Sequence, residues 1–137
     1  MADKHTARLA QINRLYALTG AGDWAAAEEQ LTEDFFAIEA DGLPFGGVYS
    51  GKGGLRALYE RVMSMMDVAD LEIRETLAGE DYAVTLVDLV FARPEGTRAR
   101  IAEMFRFRGD LICEIRPYYF DPATVHAAVE AKRTGSA

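Results

Sequence analysis

Residues 97–120 read TRARIAEMFRF, then Arg108-Gly109-Asp110, then LICEIRPYYF: two strands joined by a tight turn with a glycine in it. Side chains alternate along a strand, so Arg98, Arg100, Ala102, Met104 and Arg106 share one face, while Ala99, Ile101, Glu103, Phe105 and Phe107 share the other. Glu103 therefore stands on the apolar face. A carboxylate among Ile101, Phe105 and Phe107 must be hydrogen-bonded, paired, or held neutral by a raised pKa, because an isolated buried charge is too costly. It is either a satisfied core residue or a functional acid.

Working outward, the strand signal extends upstream. Leu71 to Glu75 alternates, Gly79-Glu80-Asp81 turns the chain, and Tyr82 to Ala92 makes a long strand that turns at Pro94-Glu95-Gly96. Four strands joined by short turns mean antiparallel pairs. Before them the period is helical. Asp3 to Thr19 carries Leu9, Ile12, Leu15, Tyr16 and Leu18 near the 3.6 spacing, and Gly20-Ala21-Gly22 ends it. Asp23 caps a second helix expected over Trp24 to about Leu31, and Phe35 to Glu39 reads as a short strand. An irregular loop is expected from Ala40 to Tyr49, then a helix through Leu55, Leu58, Tyr59, Val62, Met63 and Met66, with Ser50 or Gly51 near its N-cap. Asp121 and Pro122 open a last short helix, and Lys132 to Ala137 is expected to fray. Helices first and strands last predict an α+β domain with its helices on one face of a curved sheet.

With 137 residues, 50% of them hydrophobic and 27% charged, the chain fits a single domain over 1–137, its ordered core about 5–131. A net charge of -7 argues against nucleic acid and against an anionic membrane surface. The longest apolar run, Val84 to Ala92, is broken by Thr85 and Asp88, and the first residues lack the apolar centre of a signal peptide. A soluble, cytoplasmic protein is expected. Cys113 is the single cysteine, with the parity of a core residue. Gly46 to Lys52 has the spacing of a phosphate-binding loop, but Gly53 follows where the magnesium-binding hydroxyl belongs, and hairpins follow instead of crossovers. His5 and His126 lack metal-ligand spacing, and no Ser or Cys has a triad's base, so no metal and no cofactor are expected.

What remains is a set of acids and phenols on apolar faces. Asp88 is enclosed by Leu86, Val87, Leu89 and Val90, and is expected to point inward together with Glu103. Val87, Leu89 and Phe91 would then point outward with Met104, an apolar face for a homodimer through the outside of the sheet. Glu39 ends the first strand, Tyr16 lies on the first helix, and Tyr119 shares the parity of Ile115 and Pro117. Phe35, Phe45, Tyr59, Met63, Phe105 and Tyr119 should line or close a cavity, with the loop from Asp41 to Tyr49 as its rim.

Leu15 to Asp23 (LYALTGAGD), Glu33-Asp34-Phe35-Phe36, Gly42 to Gly51 before a helix, and Glu103 to Phe107 followed by Ile115 to Tyr119 resemble the SnoaL-like branch of the nuclear-transport-factor-two-like superfamily. That group includes ketosteroid isomerases, polyketide cyclases and limonene epoxide hydrolases. The resemblance implies a cone of three N-terminal helices packed in a strongly curved antiparallel sheet, a pocket in its mouth and a homodimer. It puts Glu39 where ketosteroid isomerases hold the aspartate that moves the proton, and Glu103 where they hold the protonated aspartate of the oxyanion hole, an arrangement already worked out for that enzyme. The family's first-helix tyrosine aligns with Leu15, which leaves Tyr16 one residue, about 100° of helix, away. The expected function is acid/base chemistry (isomerisation, cyclisation or hydration) on a hydrophobic oxygen-bearing small molecule. Glu39 or Asp88 is the base, Glu103 the neutral acid, and Tyr16 and Tyr119 hold the substrate oxygen. The alternatives are a water addition to an epoxide by Asp88 and Glu103, and a non-catalytic binding or dimerisation module.

Overall fold

The computed structural model describes residues 3–135. Helix α1 (Lys4–Gly20) begins where Asp3 Oδ1 accepts the Thr6 backbone N–H at 2.7 Å. It ends at a turn in which Gly22 has φ 75°, a conformation that costs a glycine nothing. Helix α2 (Trp24–Glu28), capped by Asp23, is shorter than its periodicity suggests. The Gln30 carbonyl already accepts the backbone N–H of Ile112 at 2.8 Å, so sheet pairing claims the chain and Leu31 becomes the first residue of β1 (Leu31–Glu39). Strand β2 (Gly47–Ser50) takes the last three residues of the expected loop together with Ser50 and pairs antiparallel with β1, from Phe36 opposite Ser50 to Glu39 opposite Gly47.

Helix α3 (Gly54–Met65) is capped at Gly53 with no side-chain hydrogen bond, not at Ser50 or Gly51. Its first residue must be small, because a Cβ on Gly54 would sit 2.4 Å from the Tyr49 carbonyl oxygen. Strands β3 (Val68–Ala78), β4 (Tyr82–Phe91), β5 (Arg98–Arg108) and β6 (Leu111–Tyr119) follow as successive antiparallel pairs. Helix α4 (Pro122–Thr134) starts at Asp121, whose Oδ1 accepts the Ala123 N–H at 3.1 Å. It does not fray at Lys132. That residue donates to the Met63 carbonyl at 3.2 Å and pairs with Asp67 at 3.4 Å, and Gly135 closes the helix in the left-handed conformation. Ser136 and Ala137 lie outside the described residues.

The sheet order is β2-β1-β6-β5-β4-β3. Every pair is antiparallel except β1 with β6, where Phe36 and Ala37 lie beside Glu114 and Ile115. The architecture is α+β, a cone of helices held in a strongly curved sheet, and the core inside it is built on Ile12, Leu15, Phe35, Phe105 and Ile115. At the opposite end of α1 from Tyr16, the buried Arg8 stacks on the Phe107 ring 4.2 Å from its centroid and donates to the carbonyls of Glu80 and Gly109.

One expected parity is reversed. Thr85 lies opposite Glu103, Val87 opposite Ile101 and Asp88 opposite Arg100, so Thr85, Val87, Leu89 and Phe91 face inward and Asp88 faces outward with Leu86 and Val90. Asp88 is buried by arginines and not by the core. Its Oδ2 accepts from Arg74 at 2.5 Å and from Arg98 at 2.8 Å, with Arg100 at 4.0 Å. Opposite charges across neighbouring strands attract, and that pairing places Asp88 on the arginine face. Val87, Leu89 and Phe91 are consequently core residues and cannot centre a dimer. Of the four residues named for that role only Met104 lies on the outer face, near Leu77, Leu86 and Tyr118, which are 52%, 40% and 56% exposed.

The two guanidinium groups hold the Asp88 carboxyl down at about 2, below its ordinary 3.8. A depressed carboxyl stabilises the fold above its unfolded pKa, and the contribution is lost as pH falls from about 4 toward about 2. Asp88→Asn is expected to lower the melting temperature near neutral pH and to weaken the acid sensitivity in that window. Thermal melts from about pH 2 to pH 7 check both, and a neutral-pH melt equal to the parent's would contradict it.

Candidate functional site

A cavity of about 540 Å³ opens between the helices and the concave face of the sheet. The apolar spacing of α1 turns Leu15 and Tyr16 toward it, with Thr19 a turn further on; α2 contributes Trp24, and α3 lays Leu55, Leu58, Tyr59, Val62 and Met63 along one side. The floor is the inward parity of three strands: Val87 and Leu89 on β4, Ile101, Glu103 and Phe105 on β5, Ile115 and Tyr119 on β6. Glu39 enters from the end of β1. Gly20, Tyr59, Ala69, Asp70 and Leu71 are its exposed lining residues and mark the side facing solvent. Tyr59 packs edge-on against Trp24 there, 5.3 Å between ring centroids.

Six of the expected residues meet in this cavity besides Glu103: Glu39, Tyr16, Tyr59, Met63, Phe105 and Tyr119. Three do not. Asp88 is on the other face of the sheet, so it cannot join Glu103 in opening an epoxide, and it is no candidate base for this cavity. Phe35 is fully buried in the core behind the lining, and Phe45 supports Tyr119 from behind, their ring centroids 5.9 Å apart. The loop from Asp41 to Tyr49 is not the rim either. Asp41 and Leu43 line a second cavity of about 380 Å³, which shares Glu39 and Tyr119 with the first.

Tyr16 is in place despite its alignment one residue late. Its hydroxyl donates a short hydrogen bond to Glu103 Oε1, and its ring meets Phe105 edge-on at 5.9 Å. Neighbours 100° apart on a helix both reach a cavity this wide, so Leu15 and Tyr16 line it together. The residues that sequence reasoning missed are apolar wall: Trp24, Val87, Leu89, Ile101 and Ile115 among them. The arginines at 98 and 100 were the signal for β4, since they fix the parity of Asp88 and hence that of Val87 and Leu89.

Electrostatics follow from this placement. Glu39 is 3% exposed, and burial together with the negative charge of Glu103 pushes its carboxyl up to about 8. Burial raises Glu103 as well, more than the hydrogen bond from Tyr16 lowers it. Both phenols are driven upward, Tyr16 by burial and then by Glu103, and Tyr119 by burial and then by Glu39 and Glu103. They remain neutral hydrogen-bond donors throughout the physiological range. The site thus offers two carboxyls that compete for charge, and two phenols that can only donate or accept. Among the described residues no group of three or more His, Cys, Asp and Glu is placed to hold a metal ion.

The model of the SnoaL-like domain family matches residues 12–115. A search of curated proteins finds no match. Among solved structures, an NTF2-like protein of Burkholderia xenovorans LB400 is 19% identical over 93% of this chain and 99% of its own, with a TM-score of 0.73. A protein of Jannaschia sp. CCS1, provisionally named a SnoaL-like polyketide cyclase, is 15% identical over 94% of this chain and 96% of its own, TM-score 0.76. TerC, co-crystallised with polyporic acid, is 15% identical over 90% of this chain and 98% of its own, TM-score 0.75. At such identities the likeness speaks for the fold.

Glu39 carries a direct test. Its folded pKa is raised above the ordinary glutamate value of about 4.5, so the fold loses stability as pH rises from about 4.5 toward about 8, at up to about 1.4 kcal/mol per pH unit. Glu39→Gln removes that loss. Its melting temperature should exceed the parent's near pH 8 and approach it near pH 4, and parallel curves for the two proteins would contradict the assignment.

Proposed function

Because the chain belongs to the SnoaL-like domain family, and because two carboxyls with raised pKa values share one apolar cavity, we propose that it performs general acid/base chemistry on a hydrophobic small molecule bearing a carbonyl or hydroxyl oxygen. The observation that supports this most is the Tyr16 hydroxyl donating to Glu103 on the cavity floor, with Glu39 near enough for their charges to interact. In this reading Glu39 is the base. A carboxyl poised near 8 gains strength as a base while remaining partly ionised at neutral pH. Glu103 is the neutral partner. With Oε1 accepting from Tyr16, its other oxygen carries the proton and donates to the substrate oxygen as negative charge develops there. Tyr119, beside both carboxyls, supplies a further donor. A hydrophobic substrate filling the apolar cavity displaces its water, and each of these hydrogen bonds then acts at low dielectric.

The reaction class under this reading is proton transfer next to a carbonyl, the step common to isomerisation and cyclisation. Its probe is exchange of the α-hydrogens of an apolar cyclic ketone in deuterated water, followed by proton NMR. The protein should accelerate exchange over buffer. Glu39→Gln should lose about 10²-fold or more of that rate, and Glu103→Leu a similar factor, with binding less affected than turnover. A ketone that binds with no faster exchange supports the non-catalytic binding module instead.

We also propose a homodimer formed through the outer sheet face, where Leu77, Leu86, Met104 and Tyr118 form an apolar strip between the Asp88 cluster and Glu114 with its arginines, Arg106 and Arg116. Cytoplasmic residence belongs to the same reading; no helix among the described residues is long and apolar enough to cross a membrane. Leu86→Glu should shift sedimentation from dimer to monomer at micromolar concentration. A parent protein that is already monomeric there refutes the interface.

A further inference from the structure

The cavity is lined by acidic side chains and by no cationic one. Glu39, Glu103 and Asp70 line it, and none of its lining residues is a lysine, arginine or histidine. Glu39 Oε1 is buried in the wall with no hydrogen-bond partner. Buried carboxyl oxygens in folded proteins are almost always satisfied, so this orphan leaves the Glu39 carboxyl, a lining residue of the cavity, short of a donor that a small shift of its side chain toward a ligand would supply. The strongest such donor is a cation, and the rest of the lining is apolar or aromatic. We propose that the cavity selects ligands by charge: it takes apolar amines in protonated form, the ammonium seated on Glu39, and turns away carboxylates of the same shape.

This deepens the acid/base reading, on which it rests only in treating Glu39 as the chargeable group. An ammonium on Glu39 acts against the main cause that holds that carboxyl neutral, since it replaces the missing solvation with a positive charge. A bound carboxylate would bring a negative charge beside two desolvated carboxyls, where no lining residue is a cation to answer it. Groups on every packed element agree. Glu39 shares the cavity with Glu103 of β5, Tyr119 of β6 and Tyr16 of α1, with Tyr59 of α3 and Asp70 of β3 on the solvent side. Behind it, in the second cavity, stand Asp41 and Arg116, and the guanidinium of Arg116 is held by Glu114 at 2.8 Å.

The sign of the pH dependence follows. Below about 8 Glu39 must release its proton before it can pair with an ammonium, so amine binding near neutral pH should release about one proton per site. Amine affinity should rise by up to about tenfold per pH unit on the approach to 8, while carboxylate affinity does not rise.

The test uses three probes with one rigid apolar cage: adamantylamine, adamantanol and adamantanecarboxylate. Titration calorimetry near neutral pH, in two buffers of different ionisation enthalpy, gives affinity and proton count together. The amine is expected to bind at least about tenfold tighter than the carboxylate, with proton release, and Glu39→Gln should bring the amine down to the level of the alcohol. A carboxylate that binds as tightly as the amine overturns the proposal. So does amine binding without proton release, a preference that survives Glu39→Gln, or no binding by any of the three. The parent's selectivity and proton count decide the matter even if Glu39→Gln does not fold. Ketone exchange that fails while the amine preference stands refutes the acid/base reading alone, and the converse result refutes this inference alone.

Discussion

Desolvation of two carboxyl groups in one cavity is the constraint around which the other parts are arranged. Charging either Glu39 or Glu103 means putting a negative charge into a wall of leucine, valine, isoleucine and aromatic rings, and charging both adds their repulsion. A protein can relieve this with a cation, with water or with a proton. The lining supplies no cation, so the proton is the internal solution, and the Tyr16 hydroxyl takes up one lone pair of Glu103. The helices are then needed as well as the sheet. Without α1 packed into the concave face there is no phenol on Glu103, and without α3 no wall keeps water out.

The outside of the same sheet treats its acids in the opposite way. Asp88 is 2% exposed, but what covers it is the surface arginines Arg74 and Arg98, and they hold it ionised. Glu114 is buried on that face too, between Arg106 and Arg116. Burial alone therefore does not separate a structural acid from a candidate functional one. The difference lies in whether a guanidinium has been supplied, and strand alternation decides that residue by residue. Thr85 and Leu86, adjacent in sequence, belong to two different electrostatic environments.

That is also why the sequence was legible in some places and not in others. The β5–β6 hairpin declares itself because its faces differ sharply, with arginines on one and Phe105 and Phe107 on the other, and Glu103 could be placed on the inner side from alternation alone. Strand β4 is apolar on both faces, so its parity cannot be read locally; it depends on its partner strand, and Asp88 was placed on the wrong side for that reason. The helical spacing of α2 runs into Leu31, but hydrogen bonds to a strand at the far end of the chain override it. Strand β2 is four residues of glycine-bounded edge with no periodicity of its own. Tyr16 is out of register only in the family alignment; cavity width and side-chain reach bring it to Glu103 all the same.

The parallel pairing of β1 with β6 joins residues about 80 positions apart, Leu31 beside Ile112. At ribosomal speeds of about 5–20 residues per second, the end of β1 would be made several seconds before its partner exists. In that interval Glu39 is hydrated, with nothing to hold its proton, and near neutral pH it is charged. Docking of β6 encloses it and reverses that preference. Closure of the sheet across β1 and β6 therefore carries a protonation with it, and refolding near pH 7 should draw a proton from the buffer as the chain becomes compact.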